Sequence, residues 1–249
     1  MQTCRIPRAI CDELDRKIHR FLWAGTTTEC KTHLVAWATV NRRMLEGGLG
    51  IQPMRELNSA SLAKLGWRMI REPESLWLGV LHHKYCKGRR GMDMFVACRN
   101  PSNACKGITE SSSILQKGVQ HSIGEGRGTL FWLHRWVSGH TLVEIATRPV
   151  PSADLHRTVV DYWERSSGWR WEELREFLPT DMLSRIASIQ VYPTSGIEDE
   201  IFWGRTSSRM YSIQSAINMM LGDHRTRTKG LGERYGKCRY RKKCDSYFG

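Results

Sequence analysis

The sequence predicts a mainly α fold with small β-hairpins (α+β): a helical segment followed by a mixed hairpin-and-helix region. Three observations carry this expectation. Apolar residues recur at helical spacing from Met54 to Ile70. The run Gly47-Gly48-Leu49-Gly50 places three glycines in four positions ahead of it. Short apolar stretches around Phe131 and Trp203 flank glycine or serine turns, the chemistry of a hairpin.

Pro7 suits the first position of a helix, where its missing N–H would be unpaired anyway. Ile10, Leu14, Ile18 and Phe21 then share one face, with Cys11 and Leu22 at its edge. Asp12, Asp15, Arg16 and His19 take much of the other face. The helix is expected to stop near Gly25, before a polar turn at Thr26-Thr27-Thr28. Residues 37–85 read as helix, tight glycine turn, helix, helix. On the helix from Met54, one stripe is Met54, Leu57, Ser61, Leu65 and Met69. A nearly opposite stripe is Ala60, Ala63, Trp67 and Ile70, so this helix is buried between other elements. Lys64 and Arg68 lie between the stripes. Pro73 ends it, and Trp77, Val80 and Leu81 form the inner face of the next.

Residues 86–110, with Gly88, Gly91, Pro101 and Gly107, read as a loop or boundary. Ser111-Ser112-Ser113 offers caps for a short helix to about Val119. A hairpin follows from Ile123 to Trp132 around Gly124-Glu125-Gly126-Arg127-Gly128. Residues 141–158 are loop-like. Helical patterns recur at 159–163 and 171–177, and through Leu183, Ile186 and Ile189. Glu200 to Trp203 and Met210 to Ile213 form a second hairpin about Ser207-Ser208, and a last helix runs to Met220. The expected organisation is a helical segment 1–85, a boundary 86–110, a hairpin-and-helix region 111–221 and a basic disordered tail 222–249.

The chain has 249 residues, 40% of them apolar, and a formal net charge of +13. The tail from 222 carries nine Lys/Arg against three Asp/Glu. Such a balance favours polyanion partners, nucleic acid first and an anionic membrane surface second. Eight cysteines without regular spacing, and no apolar leader, predict reduced thiols in an intracellular protein, in nucleus or cytoplasm, that is not secreted. No window of about 18 apolar residues suggests a membrane span, and no small-molecule substrate is evident.

Several runs together resemble the segment after the polymerase core in plant LINE-type non-LTR retroelement reverse transcriptases. They are Pro7 to Trp23 with Phe21-Leu22-Trp23-Ala24-Gly25, Lys31 to Trp37, Glu46-Gly47-Gly48-Leu49-Gly50-Ile51, Asn58 with Leu62 to Arg68, and Pro73 to Tyr85. Ile123-Gly124-Glu125-Gly126 with Phe131-Trp132 and Arg135-Trp136 is similar to that family's glycine hairpin and tryptophan pair. Asp199, Trp203 and Tyr211 to Ala216 match the run leading to its zinc-binding region. The resemblance covers about residues 4–220 and is weaker at 86–110. It implies a parent RNA-directed DNA polymerase using Mg²⁺, with the polymerase domain before this segment and zinc-binding and ribonuclease H regions after it. The sequence leaves the pattern near Gly222, so a retroelement gene fragment with a truncated zinc-binding domain is expected.

Catalytic chemistry is not legible. Two-metal nucleotidyl transfer needs clustered carboxylates. There is no Asp-Asp pair, and the acidic triplet Glu198-Asp199-Glu200 reads as a solvated turn. Cys238 and Cys244, with His224, lack the close pairing of a zinc site. Neither glycine run has the Gly-Lys-Ser/Thr of a phosphate loop. No catalytic residue, metal ligand or cofactor is assigned to this chain. Aromatic side chains beside Arg or Lys can stack single-strand bases, which makes Trp132, Arg135 and Trp136 candidates, with Arg42, Arg43, Lys64, Arg68 and Arg127 as phosphate contacts. Most tryptophans, Trp67 and Trp77 among them, read as core. The leading expectation is a non-catalytic fragment of a retrotransposon reverse transcriptase that binds RNA or DNA weakly and without sequence preference. The alternatives are a degenerate gene product with no independent function and, behind both, an active polymerase or nuclease.

Overall fold

The computed structural model describes residues 4–24, 35–42, 44–72, 74–81, 83 and 102–232. The helices are α1 (Arg8–Ala24), α2 (Trp37–Val40), α3 (Met54–Arg71), α4 (Leu76–Leu81), α5 (Asn103–Gly118), α6 (Leu142–Ile145), α7 (Trp171–Arg175), α8 (Thr180–Ala187) and α9 (Ile213–Gly232). The strands are β1 (Val119–Ser122), β2 (Trp163–Glu164), β3 (Gly168–Trp169) and β4 (Glu200–Trp203). The predicted α+β class with small antiparallel pairs is what the chain adopts. Among the described residues, no helix is long and apolar enough to cross a membrane.

Helix α3 is buried on more than one side, as its two stripes predict: Ala60, Leu62, Ala63, Trp67 and Met69 are all inside. It packs against α1, α5 and α9. Asn58 fastens the extended lead-in to α1, its Oδ1 accepting from the Ile6 N–H at 3.0 Å and its Nδ2 donating to the Cys4 carbonyl at 3.0 Å. The apolar face of α1 is only partly covered: Ile10 and Phe21 are 51% and 59% exposed, Leu14 and Ile18 are half-buried, and Cys11 at its edge is buried. Asp15 Oδ1 accepts from the Met54 N–H at 3.1 Å, satisfying an otherwise unpaired donor at the start of α3, and Asp12 pairs with Arg55.

The glycine turn before α3 folds back on α2. Gly50 N–H donates to the Arg42 carbonyl at 2.8 Å and Leu49 N–H to the Val40 carbonyl at 2.9 Å. Gly47 and Gly50 have φ of 79° and 69°, and a Cβ on Gly48 would overlap the Arg42 backbone. The turn is structural, as read. In α4, Leu78 rather than Val80 points inward; Val80 is exposed, and the Leu81 side chain lies outside the described set. The polar turn at 26–28 also lies outside the described residues.

Helix α5 begins well before the predicted Ser111. Ser102 is its true cap, its Oγ accepting from the Cys105 N–H at 3.3 Å, so Ser111 falls mid-helix and is buried. Gly107 marks a close crossing, not a break: a Cβ there would lie 3.0 Å from Leu62 of α3. Residues 86–101 of the predicted boundary are outside the described set. Neither predicted hairpin forms. Instead β1 pairs antiparallel with β4, in the register Val119↔Trp203 to Ser122↔Glu200. Residues 159–162 make a 3-10 turn and then β2, which pairs with β3 through Trp163↔Trp169. Helix α9 continues past Gly222 to Gly232, beyond the predicted end. One glycine inside a helix costs only about 1 kcal/mol, so Gly222 is a weak stop. Residues 233–249, with Cys238 and Cys244, lie outside the described set.

Two apolar cores result. The first joins α3, α4 and α5 to Trp203, Tyr211 and α9. Tyr211 stacks on Trp67 at 6.3 Å and donates to the Ala60 carbonyl at 2.8 Å. Trp203 lies 4.6 Å from Tyr211 and donates to Ser215 Oγ at 2.8 Å. The second core gathers Phe131, Trp132, Trp136, Tyr162, Trp169, Leu174, Met182 and Ile186. The Trp203 indole fits only because residue 118 has no side chain, since a Cβ there would overlap the ring. Gly118→Ala is therefore expected to destabilise the chain by about 2–3 kcal/mol through overpacking. Urea unfolding followed by tryptophan fluorescence measures it, and an unchanged midpoint would contradict this packing.

Candidate nucleic-acid interface

The residues proposed from sequence do not assemble into one surface. Trp132 is 1% exposed, its Nε1 donating to Tyr162 Oη at 2.8 Å. Trp136 is 8% exposed, stacks on Trp169 at 5.7 Å, and donates to the Phe131 carbonyl at 2.9 Å. Neither ring can receive a base. This corrects the platform reading, and the reason is that both indoles are used twice, as apolar bulk and as buried donors. Arg135 is likewise structural. Its side chain is 13% exposed, donates to the Gln116 carbonyl at 2.6 Å at the end of α5, and lies 3.6 Å from Glu144 on α6. Arg68 makes two hydrogen bonds to Glu72 Oε2, at 3.0 and 2.9 Å, and lies over the Trp77 ring at 5.4 Å. Lys64 and Arg42 are exposed, and among the described residues neither has a carboxylate partner. Arg127 is 68% exposed and only 3.6 Å from Glu125. Arg43 lies outside the described residues. Of the candidate cations among the described residues, Arg42 and Lys64 are thus open to a polyanion, and Arg127 is exposed but paired with Glu125.

The glycine-rich loop before Leu130 has an unpredicted role. The N–H groups of Gly124, Gly126 and Gly128 converge on the Asp199 carboxylate at 2.8, 2.8 and 3.0 Å. A row of backbone donors around an anion is the arrangement that elsewhere cradles phosphate. Here the chain supplies its own anion. Gly126 has a φ of 75°, and a Cβ on Gly124 would overlap the Ile197 carbonyl, so two of the three positions require glycine. Neither the hairpin turn expected at 124–128 nor the solvated turn expected at 198–200 is what forms. Glu125 closes the far side by accepting from the Gly196 N–H at 3.0 Å. Hydrogen bonds to a charged acceptor contribute about 1.5–3 kcal/mol each, net of water. Asp199→Ala is expected to cost about 3 kcal/mol or more and Asp199→Asn roughly half, both read by thermal unfolding. Equal stability of Asp199→Ala and the unaltered chain would contradict the role.

Two histidines sit beside this junction. His121 on β1 and His134 stack face to face, with centroids 4.1 Å apart and planes 4° from parallel. His134 Nδ1 accepts from the Leu130 N–H at 3.0 Å, which fixes a neutral tautomer with its proton on Nε2. His121 is buried, its Nδ1 meets no protein partner, and its pKa falls to about 3. Burial is the main cause and His134 the second; Asp199 and the Arg135 backbone carbonyl oppose it. A histidine held below its unfolded pKa contributes in full above about pH 6.5. That contribution is lost as pH falls toward 3, because the unfolded chain takes the proton first. Between pH 6.5 and 4.5 the chain is expected to lose about 2–3 kcal/mol, at about 1.4 kcal/mol per pH unit. The melting temperature of the unaltered chain should drop over that interval by visibly more than that of His121→Phe, which stacks but cannot be protonated. Parallel pH profiles would refute it.

Sequence reasoning also missed a group around β4. Phe202 pairs with Gln120 on the half-open face of the two-stranded sheet. The Arg209 guanidinium lies 4.7 Å over the Phe202 ring. Arg205 donates to the Lys117 carbonyl at 3.3 Å. Glu200, two residues from Phe202 on the same face, is paired with Arg71 at 2.7 Å. The Phe-Trp alternation in the strand was the available signal, since Trp203 faces the core and leaves Phe202 facing out.

Among the described residues, no group of three or more His, Cys, Asp or Glu side chains is placed to hold a metal ion. Asp199 is saturated by the glycine loop and Glu200 by Arg71, so the acidic triplet does not fit a Mg²⁺ site.

Comparison with known proteins finds two Arabidopsis thaliana relatives. One is named "putative ribonuclease H protein"; it is 29% identical over 225 residues, covering 90% of this chain and 36% of the relative. The other is named "uncharacterized mitochondrial protein"; it is 30% identical over 142 residues, covering 57% of this chain and 92% of the relative. The chain thus spans about a third of the length of the first relative. No family model matches the chain, and no solved structure matches it.

Proposed function

This chain belongs to the retroelement-related plant family that includes the uncharacterized mitochondrial protein, and we propose that it is a non-catalytic connector segment that holds RNA or DNA through sequence-independent phosphate contacts. The observation that carries this reading is the division of labour among its cations. Arg68, Arg71, Arg135 and Arg157 are engaged by carboxylates or aromatic rings, while Arg42 and Lys64 stand open, and Arg127 is mostly exposed beside Glu125, on a chain of net charge +13. Unpaired surface cations in excess are what a polyanion neutralises, releasing its counterions. The name of the longer relative supports a nucleic-acid setting. By its resemblance to LINE-type reverse transcriptases, the chain would lie downstream of a polymerase core and steady template RNA or target DNA there. Polymerisation itself would be the work of the parent polymerase domain.

Filter binding of the full chain to a 20-nucleotide RNA, from 50 to 200 mM salt, tests this. Three phosphate contacts predict an affinity loss of about tenfold or more over that range. Replacing Arg42, Lys64 and Arg127 together by alanine should flatten the salt slope. The absence of any binding at 50 mM salt would sink the reading.

A further inference from the structure

We propose that the outer face of the β1–β4 sheet is a base-stacking site for single-stranded nucleic acid, with Arg209 on Phe202 as the platform and Arg205 as a flanking cation. The proposal rests on the nucleic-acid reading above but places the contact where the sequence did not.

Four observations converge on it. Phe202 is the one aromatic ring of the strand that the core does not take, because its neighbour Trp203 fills the space over Gly118. The Arg209 guanidinium covers the ring at 4.7 Å, and its N–H groups have no acceptor among the described residues. A guanidinium over an aromatic ring can offer its second face to a base and its edges to phosphate, which an ammonium cannot do. The backbone is committed to this placement. Arg209 is the only described non-glycine residue with positive φ, at 57°. A left-handed residue other than glycine or asparagine is disfavoured and persists only where its surroundings enforce it. Here Trp203 N–H donates to the Arg209 carbonyl at 3.0 Å, and Thr206 Oγ1 donates to the Met210 carbonyl at 2.8 Å.

The surrounding charge has the right sign. Arg205 is exposed and donates to the Lys117 carbonyl at the end of α5, near Gln120, whose side chain lies against Gly204. Glu200, on that face, is paired with Arg71. Sequence preference is not expected, since every base has a π-face.

The test uses the full chain and two fluorescein-labelled 20-mers at low salt: oligo(U), and a strand of the same length with abasic sites throughout. Arg209→Asn removes the platform, and asparagine tolerates a left-handed φ. Arg205→Ala removes a flanking cation. Arg175→Asn, on exposed α7, removes the same charge elsewhere. The unaltered chain should bind oligo(U) about tenfold more tightly than the abasic strand. Arg209→Asn should abolish that preference, Arg205→Ala should weaken both probes several-fold, and Arg175→Asn should leave the preference intact. Circular dichroism at the same temperature confirms that each variant is folded. If the unaltered chain binds both strands and Arg209→Asn binds them identically to it, the platform is refuted while the nucleic-acid reading stands. If the unaltered chain binds neither, both are refuted.

Discussion

Three backbone N–H groups closing on the Asp199 carboxylate hold the two halves of this molecule together. Asp199 immediately precedes β4, which belongs to the first core, and the glycine loop it anchors leads into Phe131 and Trp132 of the second. The contact spans more than seventy residues of sequence. It fixes where β4 starts, hence the β1–β4 register, hence which of Phe202 and Trp203 faces inward. The stacked histidines lie against the same junction, where burial holds His121 neutral. A cluster of donors that resembles a phosphate cradle is therefore a device for joining chain segments.

The aromatic residues follow from that geometry. With a core divided in two, each half is small, and large rings with one polar edge suit small cores well. Each of Trp132, Trp136, Trp169 and Trp203 both buries an indole and satisfies its N–H on a hydroxyl or carbonyl. Rings so used have no face left for a ligand. On the outer face of the β1–β4 sheet the chain instead places Phe202, which has no polar edge to satisfy, and covers it with a guanidinium.

The legible and illegible parts of the sequence divide along a physical line. Local signals were sufficient for α3, whose opposed apolar stripes could only mean burial on both sides, and for the Gly47–Gly50 turn, where positive φ demands glycine. They failed wherever a distant segment decided the outcome. Gly107 looked like a breaker because its partner Leu62 is in another helix. The runs around Phe131 and Trp203 looked like hairpins because each has turn chemistry nearby, yet β1 and β4 pair with each other. The apolar face of α1 was legible, but amphipathicity does not reveal that Asp15 on the other face would cap α3. The candidate site fared in the same way. Basic residues were easy to name, but which are consumed by carboxylates and which tryptophans are sealed in depended on long-range pairing.

The β1–β4 pairing also orders events in time. Val119 meets Trp203 only after the intervening chain, with the entire second core in it, has been made. At about 5–20 residues per second, a ribosome takes roughly 4–17 seconds to cover that distance. Throughout it, α3 and α5 can pack on each other but lack Trp203, Tyr211 and α9 to close over them. The nascent chain therefore carries an unfinished apolar surface for seconds, and closing so long a loop is slow in its own right. For this protein, yield in the cell should be governed by what shields that surface during synthesis as much as by the stability of the finished fold.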